Sequence, residues 1–474
     1  MRLVLALFAL GQGTAMAAPN DARPPNIVFI LLDNLGQEWL GCYGSEERCT
    51  PNIDALAKGG VRFEHCYTAP VCGPSRIVLL TGRYPFRTGF TIHHDAALYS
   101  GGGLPPERET VFARVLRRAG YATGIAGKWQ INNLYDEPNV LKAHGFDEHL
   151  VWPGSIDTNK VRGADYERYW AAVKAESVPD TVQFIQHIES RYWDPVLIRN
   201  GKRETHPGKF GPDVLQSFAL DFLRRHRDER LLLYYPMTLT HGQTFTAPVV
   251  PTPLNMNTNR TRHEMFADMV RYADKLVGDL IRTLDELKLR DNTIIFVATD
   301  NGTEKEMIAR RNGRDVKGAL YQLTEPGGDV GLLVNCPARI PGGRTIALAD
   351  FTDVFPTICE LARVPLPPGL LLDGRSHASA LLRPSGARPA RQWIFNQYHT
   401  RRVVRDERYK LYSTGEFYDL ARDGDEQRNL AGSGETGAAA AQGKLQAVLD
   451  SLPPDASPPF RLMSQSGFNL RAKK

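Results

Sequence analysis

Two seven-residue stretches, 26–32 (N-I-V-F-I-L-L) and 293–299 (T-I-I-F-V-A-T), carry an unbroken apolar centre. Each runs straight into Asp-Asn, at Asp33-Asn34 and at Asp300-Asn301. Alternating polarity would mark a sheet with one wet face. A continuous apolar run marks a strand buried on both faces of a parallel sheet. Both faces must then be covered by helices, which restricts the chain to an α/β architecture. The stretch 231–236 (L-L-L-Y-Y-P) reads the same way. Ligands in such folds gather at the carboxyl ends of the strands. Asp and Asn also favour turns and caps, so one pair says little. Two pairs at the ends of separate strands offer four side-chain oxygens, which suit a hard cation such as calcium or magnesium.

The rest of the chain supplies the covering layers. Thr110 is expected to cap a helix over 111–119 that Gly120 stops. Val214, Leu215, Phe218, Phe222 and Leu223 form the apolar stripe of a helix over 212–225, and a long helix spans 265–287. Further strands are predicted at 61–67, 121–126 and 330–335. From 392 onward short strands (392–397, 402–405, 409–413, 416–418) alternate with turns before a helix over 436–452. A chain of 474 residues exceeds one ordinary core. The pattern divides into a large unit, 24–365, a smaller one, 366–455, and an extended or disordered tail, 456–474.

The first seventeen residues read as a secretory signal: Met1-Arg2, an apolar run over 3–10, then Ala15-Met16-Ala17 as a cleavage site. The run is too short to span a bilayer, so an exported protein is expected, periplasmic or secreted, with no membrane span. Net charge is +5 with no basic tract, which argues against a nucleic-acid partner. The cysteines at 42, 49, 66, 72, 336 and 359 show no C-x-x-C spacing suited to zinc.

One of those cysteines sits in an unusual string, Val71-Cys72-Gly73-Pro74-Ser75-Arg76, continuing to Leu80-Thr81-Gly82-Arg83. A helix starting here points free N–H groups at the cysteine, and Arg76 adds a planar, forked cation that fits a tetrahedral oxyanion. Gly127-Lys128-Trp129-Gln130 follows the 121–126 strand, Thr240-His241-Gly242 follows 231–236, and Lys317-Gly318 precedes Glu325-Pro326-Gly327-Gly328. Together these strings, in this order from about 26 to 430, resemble the type I sulfatases.

The resemblance implies the alkaline-phosphatase-like α/β fold: a mixed, mostly parallel sheet flanked by helices, with a smaller C-terminal antiparallel subdomain. It implies hydrolysis of sulfate esters by a formylglycine that a formylglycine-generating enzyme makes from Cys72. It places Arg76, Lys128, His241 and Lys317 beside that nucleophile as catalytic residues. It assigns a calcium ion, or magnesium, to Asp33, Asn34, Cys72, Asp300 and Asn301.

Two positions depart from the family pattern. Asn34 stands where the family has an acidic residue, and Gln130 where it has a histidine. A glutamine can hydrogen-bond but takes no proton near neutral pH. Gln130, His93 and His94 are kept as substrate contacts. A sulfated small molecule or carbohydrate is the expected substrate, because residues 145–211 are rich in aromatics that stack on sugars. A phosphate or phosphonate ester hydrolase of the same superfamily, and a catalytically weak carbohydrate-binding relative, are the alternatives.

Overall fold

The structure, a computed structural model, describes residues 23–92, 103–135, 137–154, 190–242, 248–253, 257, 259–383 and 389–457. The signal segment, His93, His94, much of the aromatic stretch and most of the tail lie outside these residues.

Ten strands form the main sheet: β1 (Asn26–Leu32), β2 (Val61–Tyr67), β3 (Ala122–Lys128), β4 (Glu148–Trp152), β5 (Val196–Arg199), β6 (Lys202–Thr205), β7 (Leu231–Pro236), β8 (Thr293–Thr299), β11 (Leu332–Asn335) and β12 (Arg344–Asp350). β9 (Ile308–Arg311) and β10 (Arg314–Lys317) make a separate hairpin. The order across the main sheet is β12-β2-β11-β8-β1-β7-β3-β4-β5-β6. The central run β8, β1, β7, β3 and β4 is parallel throughout. β11, β5 and β6 run antiparallel to their neighbours.

The pleat of β1 shows why its apolar run had to be continuous. Ile27, Phe29 and Leu31 enter one core with Ile77, Leu80, Phe112 and Phe355 from the helices Cys72–Thr81, Phe112–Arg118 and Val354–Leu361. Val28, Ile30 and Leu32 enter the opposite core with Leu215, Phe222, Leu276 and Leu280 from Gly211–Arg225 and Arg262–Glu286. Each face is sealed, so an interior strand has no wet side on which a polar residue could sit. No helix among the described residues is long and apolar enough to cross a membrane.

Element ends shift where tertiary contacts outweigh local signals. The helix expected from Thr110 starts at Phe112, with fully buried Val111 at the cap position and no side-chain cap. β3 runs on to Lys128, and β11 begins only at Leu332, because Val330 N–H is bonded to Cys66 O outside the ladder. The long helix begins at Arg262 behind a Thr261–Glu264 capping box.

The C-terminal unit is a four-stranded antiparallel sheet, β13 (Ile394–Tyr398), β14 (Arg401–Arg405), β15 (Tyr409–Tyr412) and β16 (Phe417–Asp419), with the helix Ala438–Ser451 packed on it. Glu325 ties it to the large sheet. This carboxylate pairs with Lys410 Nζ at 2.9 Å and with Arg405, and it accepts from the Tyr67 hydroxyl. Burial would raise its pKa, but Lys410 and then Arg405 hold it well below the usual carboxylate range. A depressed carboxyl stabilises the fold above its unfolded pKa, and that stabilisation is lost as pH falls. Glu325→Gln should therefore destabilise the protein by about 3 kcal/mol near neutral pH. The deficit should narrow below pH 4.5, the ordinary glutamate value, when urea unfolding is compared at pH 7 and pH 3.

Candidate active site

β8, β1, β7 and β3 are neighbours, and their carboxyl ends bring the sequence-predicted residues together. Leu32 pairs with Thr299, so Asp33-Asn34 and Asp300-Asn301 leave the sheet side by side. Asp300 N–H donates to Leu32 O at 2.9 Å, and Asn34 N–H to Asp300 Oδ1 at 2.9 Å. Asn34 adopts φ 54°, a left-handed conformation that Asn tolerates better than most residues. Lys128 ends β3, and His241 lies five residues past β7.

Cys72 is the first residue of its helix, with Val71 at the cap. The chain turns here because Tyr67 ends β2 and Ser75, one turn in, donates its hydroxyl to the Asp300 carbonyl. Cys72 Sγ lies 3.5 Å from Asp33 Oδ1 and 3.3 Å from Asn34 Oδ1. One ligating atom each from Asp33, Cys72 and His241 falls within 4.8 Å of the others. Burial pushes the Cys72 thiol up, so it is protonated at neutral pH.

Two buried cations face the two buried carboxylates. Lys128 Nζ sits 2.8 and 3.0 Å from the Asp33 oxygens. Arg76 Nη2 and Nε lie 2.7 and 3.1 Å from Asp300 Oδ2, and Arg76 Nη1 donates to Lys128 O. Burial alone would raise the Asp33 pKa, but the charges of Lys128 and Arg76 hold it low. Asp300 moves the other way, raised by burial and by the adjacent Asp33 charge. Arg76, expected from sequence as an oxyanion contact, thus bonds Asp300 and Lys128 and also pairs with Asp33 at 3.5 Å.

The donor set suits a hard cation. Two carboxylates and two amides converge, and Asn301 Oδ1 is buried with no hydrogen-bond partner among the described residues, while its Nδ2 donates to Asn34 Oδ1 at 2.7 Å. His241 is buried and held neutral, first by burial and then by the charge of Arg191. Its Nδ1 has no hydrogen-bond partner among the described residues.

Gln130 is buried at φ 59°, and its Oε1 is without a partner among the described residues. Lys317 is exposed at the end of β10 and makes no described hydrogen bond or ion pair with the group around Cys72. Its hairpin leans on the loop after Asn301 through Leu320 N–H to Thr303 O and Gly318 N–H to Met307 O.

Three further residues belong to the site. Arg191 is buried over the Trp152 ring at 4.0 Å, and its charge acts on both Asp33 and His241. The next residue, Tyr192, donates its hydroxyl to Thr238 O and His241 O, fixing the histidine loop. Glu304 accepts the Gly242 N–H, and burial raises its pKa. No spacing marks Arg191 or Glu304; Arg191 lies within the aromatic-rich stretch 145–211, and Glu304 follows Asn301 by three.

The mixed, mostly parallel sheet thus carries oxygen donors, paired cations and a helix-borne cysteine at its carboxyl edge. The sulfatase family pattern matches residues 25–364. Human arylsulfatase A is 33% identical over 424 residues, covering 86% of this chain and 77% of its own length. Mouse steryl-sulfatase is 30% identical over 452 residues, covering 84% and 71%. Dog N-acetylgalactosamine-6-sulfatase is 32% identical over 401 residues, covering 80% and 70%. The solved structure of Ps i-CgsB in complex with k-i-k-neocarrahexaose superposes with TM-score 0.72 at 23% identity, covering 95% of this chain and 98% of its own. This chain belongs to the sulfatase family, and it is a sulfuric ester hydrolase.

Lys128→Met would leave Asp33 buried without its nearest cation. Thermal unfolding should show a loss of about 3 kcal/mol, with activity on an aryl sulfate falling in parallel.

Proposed function

We propose that this protein hydrolyses sulfate esters of carbohydrates, using a formylglycine made from Cys72 and a divalent cation, calcium or magnesium. The observation that carries the reading is Cys72 at the start of its helix, with Sγ within 3.5 Å of Asp33 and Asn34 and beside His241. Formylglycine at position 72 supplies a hydrated aldehyde as nucleophile. Asp33, Asn34, Asp300 and Asn301 would hold the cation, which supplies positive charge against a sulfate oxygen.

The chain's own residues do the rest. Arg76 and Lys128 hold the carboxylates in fixed positions and add two positive charges next to the sulfate. His241, neutral and facing Cys72, holds or passes a proton at a ring nitrogen, with Nδ1 open for that contact. Gln130 donates or accepts a hydrogen bond but cannot act as a base, which leaves the proton work to His241.

Carbohydrate is favoured as the substrate because relatives of this chain include the dog N-acetylgalactosamine-6-sulfatase, and because structures of this fold hold sugars, among them BT4656 in complex with its substrate D-glucosamine-2-N,6-O-disulfate (TM-score 0.67, 19% identity). Export to the periplasm or outside the cell fits the signal-like first seventeen residues.

Three measurements test this reading. Mass spectrometry of the tryptic peptide 63–76 should show the CH2SH group of Cys72 converted to an aldehyde, with sulfur exchanged for oxygen and two hydrogens lost; an unmodified cysteine in active protein would refute the nucleophile. His241→Ala should lower kcat on 4-nitrophenyl sulfate by about 100-fold or more, with folding intact by circular dichroism. Chelation should abolish turnover, added calcium or magnesium should restore it, and the matching phosphate ester should be the poorer substrate.

A further inference from the structure

An exposed aromatic cluster that the chemistry above does not use is tied by a backbone hydrogen bond to Pro70, two residues before Cys72. Tyr321 is 41% exposed, among the few large apolar side chains left in solvent. Its backbone is left-handed, φ 68°. A bulky residue there is strained by roughly 1–2 kcal/mol. An exposed ring recovers little of that through burial, and such outliers concentrate where ligands bind.

The strain is held from several sides. Tyr321 N–H donates to Pro70 O at 2.9 Å, two residues before Cys72. Leu320 N–H is bonded to Thr303 O, on the loop that leaves Asn301. Leu323 O accepts from Lys410 Nζ at 2.7 Å and from the Tyr412 hydroxyl, so the C-terminal sheet clamps the same loop.

That sheet also contributes rings. Tyr398, at the end of β13, lies with its centroid 6.1 Å from Tyr321, tilted by 48°. His399 follows at 4.7 Å from Tyr398, edge-on. His399 is exposed, also has positive φ, 54°, and its N–H donates to Thr91 O at 2.7 Å. Two chain segments distant in sequence thus present three rings on backbone that hydrogen bonds hold in place, one of those bonds reaching Pro70.

We propose that Tyr321, Tyr398 and His399 form a platform on which a pyranose ring of the substrate stacks while its sulfate sits at Cys72. The face of an aromatic ring is electron-rich and attracts the weakly positive C–H groups on one side of a sugar. The rim position suits a ring attached to the reacting sulfate, and a preformed platform orders the sugar without ordering itself. A small aryl sulfate would reach Cys72 without engaging it. This inference rests on the carbohydrate reading above.

The test is steady-state kinetics on 4-nitrophenyl sulfate and on a panel of sulfated mono- and oligosaccharides. Tyr321→Ala and Tyr398→Ala should raise KM for the sugar substrate relative to KM for the aryl sulfate by about three- to tenfold. The sugar kcat should change much less. Tyr321→Phe, which keeps the ring, should hold the KM ratio within about twofold. An unchanged KM ratio in both alanine variants, on a sugar the wild type hydrolyses, overturns the platform and leaves the carbohydrate reading standing. Wild-type turnover of the aryl sulfate with none of any sugar sulfate overturns the carbohydrate reading and the platform with it.

Discussion

Four charges buried at the carboxyl edge of the central sheet, Asp33 with Lys128 and Asp300 with Arg76, hold the site together. None of the four side chains meets solvent. Isolated in the interior, each would carry a desolvation penalty of several kcal/mol. As interlocked pairs they keep two carboxylates ionised where two strands end, and they restrain Asn34, Asn301 and the start of the Cys72 helix around them. Ser75, donating to the Asp300 carbonyl, fastens the same helix to the same strand.

The electrostatics that follow are asymmetric. Asp33 is driven down and Asp300 up, so the two carboxylates are not equivalent donors. His241, walled in beside Arg191, stays neutral, which suits a proton carrier more than a charged anchor. The departures from the family pattern, Asn34 and Gln130, fall on positions where an amide replaces a titrating group. On the proposed reading, the site's negative charge comes from Asp33 and Asp300 and its proton transfer from His241. The C-terminal sheet is not a passive appendage: through Glu325, Lys410 and Leu323 it braces the loop that carries Tyr321 to the rim.

Much of the fold was legible because burial on two faces leaves a local mark. β1, β2, β7 and β8 match their expected bounds to the residue, and the four C-terminal strands shift by at most two positions. Starts and caps were less legible. Thr110 has the right side chain for a cap, yet Val111 takes the position because the core accepts an apolar residue there. In the site, Asp33, Asn34, Cys72, Asp300, Asn301, Lys128 and His241 converge as their strings implied. Lys317 stands apart on an exposed hairpin, while His93 and His94 lie outside the described residues. Arg191, Glu304 and Tyr321 left no signal, since nothing in their neighbourhoods repeats at a helix or strand period.

By itself the sequence determined which segments are strands sealed on both faces, and that oxygen donors, a lysine, a histidine and a helix-borne cysteine follow strands or open a helix. Those properties depend on residues a few positions apart. Which charge neutralises which was decided only by the tertiary structure. Arg76 reads locally as a cation for an oxyanion, yet it bonds Asp300, 224 residues away, and Lys128 bonds Asp33 across 95. Coulomb energy and desolvation depend on distance and burial in space, and neither has a period along the chain.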